Sequence, residues 1–312
     1  DLFIPLEVLT MLRSNAKQFA TVSLFFLLSC SLSQHQNPSN KTIVSKKDIV
    51  VITGTASGLG KSIATKLTKL GYIVYGGDID TEGNKYLEEL GAHPFELDVR
   101  DSKLVTKKIN EIILKSGKVD ILINNAGYAE FGPIETTDIE DVINQFEVNV
   151  FGYARMQAAV LPHMRERKSG KIINISSAAG KFSYPMLGWY SASKHAVEGM
   201  SDALRMEVEE YNISVVKIQP GSFRSNLVKK GLSKLESESI PKDYLKGVNK
   251  FKTTLKNIDE NLPSADKVAD IVITAVQANK PKSEYVVLDD AHYFLNKRRQ
   301  LTNDEFYKKF QH

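Results

Sequence analysis

A chain of 312 residues with average apolar and charged content can bury one large α/β core and needs no second independent domain. Its formal charge of +4 is spread over both signs, which argues against a nucleic-acid binder, and one cysteine with six scattered histidines excludes the paired spacings of a zinc site. No metal site, internal repeat or low-complexity tract is read from the chain.

The first segment differs from the rest. Met11-Leu12-Arg13 and Lys17 precede an apolar stretch from Phe19 to Cys30, and a polar Ser/Gln/Asn linker follows through Lys41. A basic start and a short apolar run are signal-peptide-like, and the run is too short to span a bilayer as a straight helix. Leu27-Leu28-Ser29-Cys30 also resembles a bacterial lipoprotein cleavage box, with Cys30 as the lipidated residue. Residues 1–10 precede the first methionine, which leaves the start site open. Residues 1–45 are therefore set apart as a leader or anchor-like segment with its linker. Three readings stand side by side: a membrane anchor with the folded part facing the cytoplasm, a lipoprotein or secretory leader, and an upstream extension without a targeting role.

The folded part is read over residues 46–312. Ile49 to Ile52 form a β-branched run, followed by Thr53-Gly54-Thr55-Ala56-Ser57-Gly58-Leu59-Gly60 and a helical stretch from Lys61 to Leu70. This strand, glycine turn and helix suit a dinucleotide: glycines let the backbone approach a pyrophosphate, and the helix amino terminus stabilises its charge. Gly54, Ser57, Gly58, Leu59 and Gly60 are the candidate cradle. A second strand, Tyr72 to Gly77, ends in Asp78, placed to accept hydrogen bonds from the adenosine ribose and to repel the extra phosphate of NADP. Ser57 agrees, since no Arg or Lys stands there, whereas Lys61 just past the turn is the cation that speaks for NADP. NAD(H) is favoured over NADP(H). The plain alternative for Asp78 is a loop acid beginning a turn with Asp80.

Ile121 to Ile123 lead into Asn124-Asn125-Ala126-Gly127, and Val148-Asn149-Val150-Phe151-Gly152 and Asn174-Ile175-Ser176-Ser177 follow. Tyr190 and Lys194, four residues apart on a helix, share one face. A phenol with a pKa near ~10 needs a shift of roughly three units, about 4 kcal/mol, to exchange protons at neutral pH. One ammonium at ~4 Å and an effective dielectric of ~20 is worth about that much. His195, beside Lys194, has no partner spacing and is read as a helix-surface residue. From Asp48 to Val287 strands alternate with helices, the pattern of a doubly wound parallel sheet.

Taken together, the glycine turn, the Asn124–Gly127 segment and the Tyr190/Lys194 pair resemble the classical branch of the short-chain dehydrogenase/reductase superfamily, over roughly residues 47–312. The resemblance implies a single Rossmann-type α/β domain with a helical substrate lid over about residues 226–262. Its spacing of thirteen positions before Tyr190 selects Ser177 over Ser176 as the catalytic serine. It further implies that Ser177 holds the substrate oxygen, that Tyr190 passes the proton, and that Lys194 lowers the tyrosine pKa and binds the nicotinamide ribose. Asn149 would hold a water linking Lys194 to a proton path. Asp98 and Val99 would flank the adenine, and Asn125, Ala126 and Gly127 would support the cofactor and the central sheet. Pro220, Gly221, Phe223 and Ser225 would meet the nicotinamide carboxamide, with serine at 225 where the family often has threonine.

The lid stretch carries Leu227, Val228, Leu232, Leu235, Ile240, Tyr244, Leu245, Val248 and Phe251, and an apolar lid suits an apolar substrate. Phe182, Tyr184, Met186 and Trp189 are candidates for the opposite wall. The lysines between Lys229 and Lys256 admit a nucleic-acid or anionic-membrane patch; they are read as the solvated face of an amphipathic helix, and no nucleic-acid partner is expected. The tail from Tyr285 resembles hydroxysteroid and retinol dehydrogenase-like bacterial members. The expected activity is hydride transfer between NAD(H) and a hydrophobic secondary alcohol or ketone, steroid-, retinoid- or lipid-like. Its rivals are an NADP-dependent 3-oxoacyl reductase, a sugar-nucleotide epimerase and a non-catalytic NAD-binding redox sensor; retention of Ser177, Tyr190, Lys194 and Asn149 together argues against the sensor. Helices near 139–165 and 190–210 occupy the family's dimer surfaces, so a homodimer or homotetramer is expected. An intracellular NAD pool favours a cytoplasmic or cytoplasm-facing, membrane-associated placement over export.

Overall fold

The computed structural model describes residues 48–237, 240–259 and 262–310; the leader readings and Cys30 lie outside them. Strand β1 (Ile49–Thr53) is buried along its whole length, as a β-branched run must be when both faces of a parallel sheet are covered. Val50 and Ile52 point into one core with Ile63, Leu67 and Val272. Ile49 and Val51 point into the other with Ile109, Val160 and Ile172. The side-chain period of two thus feeds two hydrophobic layers from one strand.

Helix α1 (Gly58–Lys69), β2 (Ile73–Asp78), β3 (His93–Glu96), α2 (Ser102–Ser116) and β4 (Ile121–Asn124) complete the first half. The helix after the glycine turn begins at Gly58, three residues before the expected Lys61. Glycine has low helix propensity, so sequence alone delays the start. Ser57 is an extended N-cap whose side chain makes no capping bond, so the first helical N–H groups are left to face the cleft.

In the second half α3 (Ile139–Phe146) runs through a π-helical turn, Glu147–Phe151, into α4 (Gly152–Arg167), followed by β5 (Gly170–Ile175) and α5 (Gly188–Glu207). Then come β6 (Ile213–Pro220), α6 (Asn226–Ser237), α7 (Lys242–Asp259), α8 (Ala265–Gln277), β7 (Glu284–Val287), α9 (Asp289–Gln300) and α10 (Asn303–Phe310). All seven strands pair in parallel in the order β3-β2-β1-β4-β5-β6-β7, the doubly wound sheet expected from the alternation. The winding reverses between β1 and β4, where such sheets open a ligand crevice at their carboxyl ends.

Two packing features set the site. The buried side of α5 carries Lys194, Val197, Glu198, Ser201 and Leu204 at spacings of three and four, which turns Tyr190 and Lys194 toward the sheet's carboxyl edge. At the chain's end Leu295 and Phe306 pack with Phe294 against Ala178, Phe182 and Tyr184. Among the described residues no helix is long and apolar enough to cross a membrane.

Candidate active site

A cleft of about 1670 Å³ lies along the carboxyl edge and is lined from both halves. Its first wall is the glycine turn. Gly54 has φ 76°, and a Cβ there would meet Ala126 Cα at 2.9 Å; a Cβ on Gly60 would meet the Gly54 carbonyl oxygen at 1.9 Å. Both positions require glycine, one for the backbone angle and the other for the approach of α1 to β1. Asn125 fastens the turn, its Nδ2 donating to the carbonyls of Thr53 (2.9 Å) and Gly54 (3.0 Å), while Thr53 Oγ1 accepts from the Asn125 and Ala126 amides. The support expected of Asn125–Gly127 therefore has a concrete form: a polar clamp across the β1/β4 switch point.

Asp78 closes β2 and makes the turn with Asp80 that was its plain alternative. Its Oδ2 accepts from the Ala56 amide at 2.8 Å, against the glycine turn, and its Oδ1 accepts from Asp80 N at 2.9 Å, starting a turn. Lys61 lies over the Tyr86 ring at 4.3 Å. Asp98 is gripped by Arg100, whose Nη2 reaches Oδ2 at 2.7 Å, and this bond holds the carboxyl below its usual range despite partial burial. Val99 packs on Gly152. Gly54, Ser57, Gly58, Leu59, Asp78, Asp98, Val99, Asn125, Ala126 and Gly127 all line the cleft, as do Pro220, Gly221, Phe223 and Ser225.

Ser177, Tyr190 and Lys194 meet at the cleft floor. The Tyr190 phenol is pushed up by burial and eased down by a hydrogen bond to the Ser177 side chain. Ser176, by contrast, is 3% exposed and its hydroxyl has no hydrogen-bond partner among the described residues. The geometry thus pairs the phenol with Ser177. Lys194 departs from expectation. Its Nζ donates to the Ile175 carbonyl at 2.9 Å and lies 5.8 Å from the centre of the Tyr190 ring. Burial pulls this ammonium down to about 8, against the charge of Glu198 one turn along α5. The phenol is raised rather than depressed because its own burial disfavours the charged form, while the buried ammonium takes the Ile175 carbonyl as acceptor.

Asn149 sits in the π-helical turn, a feature frequent at functional sites. Its amide donates to Tyr128 O (2.8 Å) and Ser193 Oγ (3.1 Å) and accepts from Tyr128 N (3.0 Å). Ser193 Oγ donates in turn to Tyr190 O at 2.7 Å. Both amide hydrogens are thus committed to tethering the loop after β4 to the catalytic helix.

Sequence reasoning missed Asp290 at the start of α9. It accepts from Ser222 N at 2.7 Å and packs so tightly on Gly221 that a Cβ there would lie 1.9 Å from its Oδ1. The preceding Leu288 has φ 80°, which costs a bulky residue energy. An acid far from every motif gave no local signal.

The family model for short chain dehydrogenases matches residues 48–236. The chain belongs to the short-chain dehydrogenase family. This short-chain dehydrogenase is 40% identical over 214 residues to a 3-ketodihydrosphingosine reductase of Bacteroides thetaiotaomicron, covering 68% of this chain and 76% of the relative. It is 38% identical over 250 residues to an NADPH-dependent 3-dehydrocapnine reductase of Ornithobacterium rhinotracheale, covering 76% and 87%. A solved short-chain dehydrogenase from Streptomyces avermitilis superposes with a TM-score of 0.73 at 29% identity, over 85% of this chain and 97% of that one. With reductases among its relatives, the protein is an NAD(P)-dependent oxidoreductase acting between alcohols and ketones.

Proposed function

We propose that this short-chain dehydrogenase reduces a long-chain, lipid-like ketone to its secondary alcohol, with NAD(H) as the favoured nucleotide. The observation that carries the reading is the apolar space over Tyr190. The phenol packs with Ala129, Phe131, Leu235, Val248 and Phe251 under the lid helices α6 and α7, so a carbonyl at Ser177 and Tyr190 has hydrocarbon surroundings for its chain. Two relatives named as a 3-ketodihydrosphingosine reductase and a 3-dehydrocapnine reductase support a reductase reading. The glycine turn, where Gly54, Ser57 and Gly58 line the cleft and the space beside Gly58 is open, fits a dinucleotide pyrophosphate. When bound, the nicotinamide group supplies the hydride.

The chain's own residues supply the rest. Negative charge develops on the carbonyl oxygen during reduction, and a donor held there in advance stabilises it. Ser177 holds that oxygen, Tyr190 gives it the proton, and the ammonium of Lys194 lies behind the phenol to compensate the tyrosinate left. Asn149 positions the helix that bears both. Asp78 favours NAD(H), since a second negative group beside its carboxylate is repelled. NADPH is the second reading, favoured by the 3-dehydrocapnine reductase likeness.

The test is fluorescence titration of the purified full chain with NADH and NADPH, followed by a ketone panel of graded chain length that includes steroid and retinoid members. Long straight-chain ketones are expected to turn over best with NADH, and Tyr190→Phe is expected to keep nucleotide binding while losing about 10²–10⁴-fold in turnover. Turnover confined to steroid or retinoid ketones overturns the substrate class. Unchanged turnover in Tyr190→Phe removes the tyrosine from the proton step.

A further inference from the structure

We infer that the outer face of α7, at the rim of the cleft, docks on an anionic lipid surface, so that a chain-bearing substrate passes from the bilayer into the site. The inference rests in part on the lipid-ketone reading, but its surface argument is independent of it. Tyr244, Val248, Phe251 and Leu255, spaced by three and four, face inward and pack with Phe131 and Leu235. The opposite stripe carries Lys242, Leu245, Lys246 and Lys250, all exposed.

Two features separate this stripe from an ordinary solvated face. Helix faces held in solution by charge commonly alternate signs in i,i+4 pairs, whereas α7 carries five lysines against two aspartates. Among the described residues Lys256 pairs with Glu236 at 3.7 Å, while Lys242, Lys246 and Lys250 form no ion pair. The second feature is apolar: Leu245 is 41% exposed at the edge of the stripe, and Ile134, on the loop that Tyr244 meets, is 61% exposed. The Tyr244 hydroxyl donates to Glu135 and so fixes the start of α7 to the loop bearing Ile134. Lysines flanking exposed aliphatic side chains are the composition of an interfacial helix, with ammonium groups at lipid phosphates and aliphatic groups in the acyl boundary. The same helix lines the cleft through Gly247, Lys250, Phe251 and Thr254. A lipid drawn in along it exchanges bilayer for apolar cleft without exposing its chain to water.

The experiment is co-sedimentation of the full chain with vesicles of phosphatidylglycerol and phosphatidylcholine in equal parts, and with vesicles of phosphatidylcholine alone. Binding is expected to the anionic vesicles only and to weaken with salt. Lys242→Gln with Lys246→Gln is expected to weaken it by about 30-fold, near fivefold per lysine, and Leu245→Glu to weaken it further. Turnover of a short, water-soluble ketone is expected to stay unchanged in the double lysine variant, while turnover of a long-chain ketone presented in vesicles falls with binding. Wild type that ignores anionic vesicles, or variants that bind as wild type does, overturn the inference, the latter assigning attachment to another part of the chain, residues 1–45 included. Failure of every ketone to react sinks the substrate reading alone, because vesicle binding is still measured.

Discussion

Lys194 is a buried amine whose charge is contested from two sides, and that contest sets a pH limit. Burial brings it to about 8 while Glu198 works to keep it charged. Below that value the ammonium is present to support the proton step; above it the amine is neutral and the support is gone. The expected outcome is a kcat/KM for ketone reduction that falls on the alkaline side through a pKa of about 8, read from a pH–rate profile; a flat profile through pH 9 removes Lys194 from the step. Asp78 makes a second prediction at this scale. Asp78→Ala removes a negative group from the ribose end, so the ratio of kcat/KM for NADPH to that for NADH should rise about tenfold, equivalent to ~1.4 kcal/mol. A wild type that already prefers NADPH contradicts the role given to Asp78. In the sequence Ser177 was separated from Ser176 only by the resembled family's spacing of thirteen positions before Tyr190. The aim of the Lys194 amine at a carbonyl, and the presence of Asp290 beneath Gly221, depend on contacts between distant segments and leave no local pattern.

Helix α8 shows how one element completes another. Its last turn holds no basic residue, yet Lys171 of β5 sends its ammonium to the carbonyls of Ala275 (3.0 Å), Val276 and Ala278 (2.8 Å). A cation at a helix carboxyl end is favourable, and here it satisfies acceptors the helix itself leaves open. Lys171→Met is expected to destabilise the fold by about 1–2 kcal/mol, measured as a lower urea midpoint with turnover retained in the absence of denaturant. An unshifted midpoint shows water capping the helix equally well. The doubly wound, parallel arrangement was legible at this scale because apolar runs separated by helical stretches admit few topologies. The start of α1 was not, since its first turn is stabilised by position against β1 rather than by propensity. The π-helical turn was not either: it differs from an α-helix by one residue of winding.

Across the whole molecule one buried charge cluster joins the segments that carry the site. Glu198 of α5 meets Lys181, from the loop after Ser177, at 2.8 Å and Lys217 of β6 at 3.0 Å, and Gln219 donates to both its oxygens. Burial opposes this carboxylate, but hydrogen bonds from Lys181 and Gln219 and the charge of Lys217 outweigh it, so its pKa is lowered overall. A lowered folded pKa contributes stability that is complete above the ordinary carboxylate range and is lost as pH falls through the folded value. Glu198→Ala, which leaves Lys217 with Asp202 and the more distant Glu284 and leaves Gln219 without its carboxylate acceptor, is expected to cost about 1–3 kcal/mol near neutrality, and Glu198→Gln to flatten the acid side of a plot of denaturant midpoint against pH. An unchanged acid limb in Glu198→Gln excludes this group as its source. The doubly wound plan was legible in the sequence, but the closure of the substrate wall was not, because it is made by residues at opposite ends of the second half. Phe182 and Tyr184 stand just past Ser177, and the rings that pack on them, Phe294 and Phe306, belong to the final two helices. On the ribosome the glycine turn and its strands emerge first, and the wall beside the reacting carbon closes only when the last helices are free to fold back. A nascent chain therefore holds its glycine turn before α9 and α10 can close the wall around Phe182 and Tyr184.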